Sequence, residues 1–285
     1  MNSQQRLRSS VLLLTWSLPA FYSFCPGSTL RPPATCFTST VICAGTYQPY
    51  AEKAWERLTQ VPSLKPVKIE DQYADQESPP VGPSKATTSI QVRALQSDDG
   101  PLRYARYALL ATEPASSNSI QVLNLCLFPQ HKDLPVWGAD FVSLPANKHL
   151  LLLDAQPMNE CADYADRWQE WYTKHVSDDV FPWGGDLPEP VKPFVSKYAL
   201  WTRLGGEGND VDSTLGGDGP LVKAFCEHLD IYLSLLLNED SSQEPQEQGD
   251  YIKYRLENDP ARPMLQRLYG AEWTEHVLET YLFPQ

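Results

Sequence analysis

DLPVWGADFVSLPANKHLLLLDAQPM, spanning Asp133 to Met158, reads as two strands joined by a tight turn. The first, Val136 to Leu144, alternates apolar side chains and sets one carboxylate, Asp140, in a hydrophobic context. It follows a Gly138-Ala139 pair that lets a backbone or a ligand come close. The second, His149 to Leu153, is a continuous apolar run, the pattern of a strand covered on both faces, so its partner also belongs inside the protein. A carboxylate in that setting is hydrogen-bonded, paired, or kept neutral with a raised pKa. The last state makes it a proton donor; the first describes an ordinary Asp tied into a turn or strand edge.

Working outward, the texture upstream stays strand-like from Ser89: SIQVRAL, RYARYALLAT and NSIQVLNLCLF are separated by the turn formers DDGP and EPASSN. With the pair around Asp140 this predicts five consecutive strands, and the short connections predict an antiparallel meander. Before them, Ala51 to Thr59 predicts a short helix. Val61 to Lys85, Pro-rich and charged, predicts an extended surface connection.

Downstream, Tyr164, Trp168, Trp171 and Tyr172 recur at helical spacings behind an Asn159-Glu160 start signal, and their bulk suits a core. A Pro/Gly-punctuated loop then leads to one more strand, KYALWTRL. GGEGNDVDSTLGGDGP reads as a mobile surface loop: it lacks the GxGxxG and GxxxxGKS/T spacings, and its acidity repels phosphate. Leu221 to Leu237 is an amphipathic helix, NEDSSQEPQEQGD a polar insert. Further helices run through YIKYRLEND, MLQRLYG and AEWTEHVLETYLF, interrupted at Pro260. A sheet followed by helices predicts an α/β domain with helices packed over the sheet.

The charge balance, 23 basic to 36 acidic residues and a net −13 over 285 residues, argues against a nucleic-acid backbone as partner. No Asp or Glu precedes Glu52, and Arg6, Arg8 and Arg31 are the charges there. Residues 1–45 therefore read as a leader: a basic n-region and short apolar h-region, then a hydroxyl-rich stretch like a transit peptide, together the two-part signal for import into a complex plastid. The h-region is too short to span a bilayer, so no membrane attachment is expected of the mature chain. Residues 46–285 form the expected single domain. Its cysteines, Cys126, Cys161 and Cys226, are widely spaced, which suits a reducing compartment and excludes a Cys-rich iron–sulfur site within the chain. His131, His149, His175, His228 and His276 show no metal-ligand spacing, and no metal is expected; no GxSxG elbow occurs either.

Three joined sets of strings carry a resemblance. They are LPVWGADFVSLP with LLLLDAQP, PWGGDLPEPVKPF with LWTRL, and YRLENDPARPMLQRLYGAEWTEHVLETYLF. Over essentially the whole body, Thr88 to Phe283, the sequence resembles the ferredoxin-dependent bilin reductases, enzymes without a bound cofactor that reduce biliverdin-type tetrapyrroles. VSLPANKHLLLLDAQP and GGDLPEPVKPFVSKYALWTRLGGEG are most similar to the phycoerythrobilin-forming members, which reduce the A-ring diene system of 15,16-dihydrobiliverdin. The WFGAR-like segment of members that make 15,16-dihydrobiliverdin from biliverdin is missing, and phytochromobilin synthase is the nearest rival. Two departures from the pattern are a glycine-rich insert at Asn209 to Gly219 and an Asn124-to-Asp140 connection one residue shorter than in relatives.

The resemblance implies a three-layer α/β/α sandwich with a central antiparallel sheet, and bilin held between the sheet and the C-terminal helices. It implies reduced [2Fe-2S] ferredoxin as electron donor, one electron at a time, and an upstream bilin reductase that hands over the substrate. The protein's own task is then to hold the bilin and supply protons in order. Asp140 is implied as first proton donor and Asp259, in ENDPAR, as the second; by itself Asp259 equally fits a helix-stop before Pro260. Asn124 is implied to face the pyrrole rings and bond a lactam oxygen. Arg203, Arg255 and Arg262 are implied for the two propionates, and Lys192, Lys197 and Lys223 for docking an acidic ferredoxin. Two readings of other classes stay open: a non-catalytic bilin carrier, which has no use for two acids, and a plastid interaction protein acting through its acidic loops.

Overall fold

The computed structural model describes residues 45–284 apart from 81–84, 114–118, 131–133, 145, 157–164, 188, 190, 206–209 and 238–247. The leader, the Asn159-Glu160 start signal and most of the polar insert lie outside the described residues.

The meander forms as the alternation requires. β3 (Thr87–Gln96), β4 (Leu102–Glu113), β5 (Gln121–Pro129), β6 (Val136–Leu144), β7 (Lys148–Gln156) and β8 (Leu200–Leu204) pair successively, each antiparallel to the last. Val61 to Lys85 is more ordered than its composition suggests. It contributes β1 (Lys65–Pro66) and β2 (Asp75–Glu77), both on the free edge of β3, and the short helix α2 (Asp71–Ala74) between them. Two prolines, Pro62 and Pro66, and many charges hid these short edge pieces, which is where a sheet tolerates such residues.

Strand alternation builds two separate cores, one on each face. Odd-numbered residues such as Leu123, Leu125, Trp137, Phe141, Leu151 and Leu153 meet α1 (Gln48–Leu58), α3 (Ala165–His175) and α5 (Pro220–Leu236). Trp168 and Trp171 are core there, closing at 4.6 and 4.3 Å on the His228 ring, whose Nδ1 accepts from Trp137 Nε1 at 2.7 Å. Burial lowers the His228 pKa to about 3, so the ring is neutral and free to accept. Even-numbered residues such as Ile90, Val92, Ala108, Val122 and Cys126 meet α6 (Gln248–Asn258), α7 (Arg262–Tyr269), α8 (Ala271–Val277) and the closing π turn Leu278–Leu282. The result is a three-layer α/β/α sandwich on a central antiparallel sheet.

The glycine-rich stretch is not simply a mobile loop. Asp210 accepts the backbone N–H of Ser213 and caps α4 (Val211–Leu215), whose Val211 and Leu215 are buried. The bulk of glycines around one short VxxxL turn concealed it. Gly205, just past β8, has φ +100°, and a Cβ there would stand 2.4 Å from the Asn147 carbonyl. The β6–β7 turn, with Ala146 and Asn147 both at positive φ, thus packs directly on a backbone that only glycine permits.

Candidate active site

The even-numbered face is sealed over β3 to β5 and open toward β8. The π turn is tied down by Tyr104, whose OH donates to the Tyr281 carbonyl at 2.9 Å. Beyond it, Asn124 on β5, Asp140 and Val142 on β6 and Leu152 on β7 are only half-buried, and Arg203 on β8 is exposed. The apolar run of β7 is therefore covered fully on one face and partly on the other. That half-covered strip is a cleft bounded by the end of α6 and the turn into α7.

Register places Asn124 directly opposite Asp140, with Leu152 on the other flank of Asp140. The Asn124 side chain shares this face with the Asp140 carboxyl and favours its ionised form. Loss of water raises the Asp140 pKa above the ordinary carboxylate value, against the opposing pull of Arg255, Asn124 and Arg106; Asp259 pushes it further up. The adjacent glycine serves a neighbour: a Cβ at Gly138 would stand 2.8 Å from Gln156 Nε2, so Gly138 makes room for that amide.

From the opposite wall, α6 presents Arg255 and, one turn later, Asp259. Arg255 Nη2 donates to Asp259 Oδ2 at 3.1 Å, while Asp259 Oδ1 accepts the Ala261 N–H at 2.8 Å. Asp259 is 8 % exposed; it closes the helix before Pro260 and also faces the Arg255–Asp140 cluster. Arg255 is held cationic by Asp259 and Asp140 despite its burial. Its guanidinium lies 5.1 Å from the centre of the Phe283 ring.

The structure thus brings together Asn124, Asp140, Arg255 and Asp259. Arg203 stands apart on the rim, its guanidinium 5.9 Å from the Trp201 ring centre. Arg262 does not join the cluster: it is ion-paired to Glu275 of α8 and donates to the Leu256 carbonyl, a tie between helices. Of the lysines, Lys192 is exposed and paired with Glu189 at 2.5 Å, and Lys197 lies 4.9 Å from the Tyr198 ring centre. Lys223 belongs to α5, in the other helical layer. A separate surface depression of about 630 Å³, lined by Lys68, Arg103 and Tyr281, shares none of the cluster residues.

Sequence reading missed Asp154 and Arg106. Asp154 pairs with Gly138, on the face of Asp140, and is 1 % exposed. Its carboxylate accepts Ser196 N–H at 2.8 Å and Ser196 Oγ–H at 2.5 Å. It anchors the segment bearing Phe194, which packs 5.6 Å from Tyr251 and 4.9 Å from Tyr254 of α6. A lone acid in an apolar context, the signal that singled out Asp140, was also present here.

Burial pushes the Asp154 pKa up to about 7 against these hydrogen bonds. The folded state therefore binds this proton more tightly than the unfolded chain. The corresponding stability is full below about pH 4 and is lost as pH rises to about 7, at roughly 1.4 kcal/mol per pH unit. Between about pH 5 and pH 7, wild type should lose roughly 2 kcal/mol relative to Asp154→Asn in urea unfolding. Parallel pH dependence in the two proteins would contradict this.

The family model "ferredoxin-dependent bilin reductase" matches residues 51–284. Among curated relatives, phycoerythrobilin:ferredoxin oxidoreductase of Synechococcus sp. (strain WH8020) is 35% identical over 257 residues, 84% of this chain and 93% of that protein. The protein of the same name from Nostoc punctiforme (strain ATCC 29133 / PCC 73102) is 33% identical over 248 residues, 83% and 92% of the two chains. The fold is similar to that of phytochromobilin synthase from tomato in complex with biliverdin, with a TM-score of 0.62 at 23% identity over 83% of this chain and 82% of that one.

Proposed function

Because the chain belongs to the ferredoxin-dependent bilin reductases, we propose that it reduces the A-ring diene system of 15,16-dihydrobiliverdin to phycoerythrobilin. Two reduced ferredoxins supply two electrons in succession, and the protein supplies two protons, so one ring-system double bond is lost per turnover. The name of the relatives and their identity over most of both chains support the product. The observation that carries the chemistry is the pair of acids, Asp140 and Asp259, facing a half-open cleft with Arg255 near both.

Asp140, raised above its ordinary pKa, is the first donor, and Asp259 delivers the second proton from the helical wall. Asn124 donates from its amide to a lactam oxygen as well as to Asp140. Arg203, exposed at the rim, is placed for a propionate; Arg255 is committed to the two acids and Arg262 to Glu275. No cofactor is bound in this scheme. The substrate arrives from an upstream bilin reductase, and the leader, residues 1–45, directs import into a plastid. Two acids of this kind are what a simple bilin carrier would not need.

The test supplies reduced ferredoxin with 15,16-dihydrobiliverdin and, separately, with biliverdin, and separates the products by chromatography. Phycoerythrobilin from the first and little turnover of the second is expected. Efficient conversion of biliverdin to 15,16-dihydrobiliverdin would overturn the substrate assignment.

A further inference from the structure

We propose that Arg106 of β4 is a positioning residue for this reaction: it fixes the Asn124 amide so that its NH2, and not its carbonyl, is presented to Asp140. The proposal rests on the bilin reductase reading for its part in turnover, but its geometry is independent of that reading.

Arg106 is completely buried, a costly place for a guanidinium. Its Nη1 donates both to the Asn124 backbone carbonyl, at 2.9 Å, and to Asn124 Oδ1. Its Nε donates to the Leu282 carbonyl at 2.9 Å, and the guanidinium carbon lies 4.9 Å from the centre of the Phe283 ring. These hydrogen-bond partners are all neutral acceptors, so the charge is not there to complete an ion pair with them. What the arrangement does achieve is directional. An Asn side chain offers two acceptor sites at one end and two donors at the other, and rotation by half a turn exchanges them. With Oδ1 taken by Arg106, Nδ2 is the end left to face Asp140, directly opposite on β6.

The orientation matters for an acid that must give up a proton. An amide N–H facing the carboxyl stabilises the carboxylate, whereas a carbonyl facing it accepts the acid's O–H and holds the proton in place. Arg106 thereby favours release at Asp140. The charged and titratable groups around Asp140 are Arg106 from β4, Arg255 and Asp259 from the end of α6, and, electrostatically, Tyr47 from the other layer; its β7 neighbour Leu152 is apolar.

The experiment uses the intact protein with carbon-13-labelled aspartate, following the Asp140 carboxyl by NMR titration and assigning it with Asp140→Asn. Arg106→Lys keeps the charge but cannot span both Asn124 acceptors and Leu282, so it frees the amide. It should move the Asp140 midpoint upward by about one pH unit. The alkaline limb of the kcat/KM profile for 15,16-dihydrobiliverdin should move in the same direction. In an Asn124→Leu background the same Arg106→Lys change should move neither. Arg106→Gln should move the midpoint at least as far, since the charge is lost as well. A midpoint unmoved in Arg106→Lys but raised in Arg106→Gln would assign Arg106 a charge role only and overturn the positioning role. An undiminished Arg106→Lys effect in the Asn124→Leu background would also overturn it. Because the titration needs no turnover, a wild type that reduces no bilin would sink the functional reading alone.

Discussion

Asp140→Asn is expected to bind bilin as wild type does and to turn over at least about a hundredfold more slowly, the lower end of what a positioned proton donor contributes. The two side chains are nearly isosteric, and the position opposite Asn124 and beside Leu152 is set by strand register, so the cleft keeps its shape. What is lost is the transferable proton. Asn cannot replace it, and the amide leaves Arg255 with Asp259 as its remaining acidic partner in the cluster. A fall in kcat with bilin affinity preserved separates this from a folding defect. Wild-type turnover would remove Asp140 from the reaction.

Arg255→Met should have the largest effect on stability. The guanidinium is bonded to a nearly buried Asp259, held by the field of Asp140, and stacked near Phe283; removing it leaves two acids facing each other without their cation. Breaking one member of a buried pair costs about 3–5 kcal/mol, and the half-exposed Asp140 argues for the lower end, about 3 kcal/mol at neutral pH. The loss should shrink as pH falls, because protonating Asp140, whose pKa burial raises, removes its need for a partner. Urea unfolding of both proteins at neutral and mildly acidic pH measures this. A loss that does not change with pH would assign the defect to packing against Phe283.

The parts of the molecule legible in its sequence are those where one local pattern decides the outcome. Apolar alternation and a continuous apolar run between turn formers marked β3 to β7, and a lone carboxylate after the Gly138-Ala139 pair singled out β6. The long helix α5 announced itself by its apolar stripe from Leu221 onward. What stayed hidden depends on long-range pairing. β1 and β2 are too short for a pattern and exist because β3 has a free edge. α4 is one capped turn inside a glycine-rich stretch. Arg106 reads as a surface arginine in RYARYALL, and only the return of the C-terminal Leu282–Phe283 segment onto β4 buries it. Arg262 showed the reverse: the resemblance implied a propionate for it, but its place on α7 turns it toward Glu275.

The claim that Asp140 gives the first proton to a bilin already carrying one electron is tested most directly by stepwise reduction. Wild type and Asp140→Asn, each holding 15,16-dihydrobiliverdin without oxygen, receive two electron equivalents from reduced ferredoxin, one after the other, and are followed by EPR and absorption. In wild type the organic radical signal should be transient. In Asp140→Asn it should form and persist, with no phycoerythrobilin appearing on the wild-type timescale. A radical that decays to product at the wild-type rate in Asp140→Asn would contradict the account.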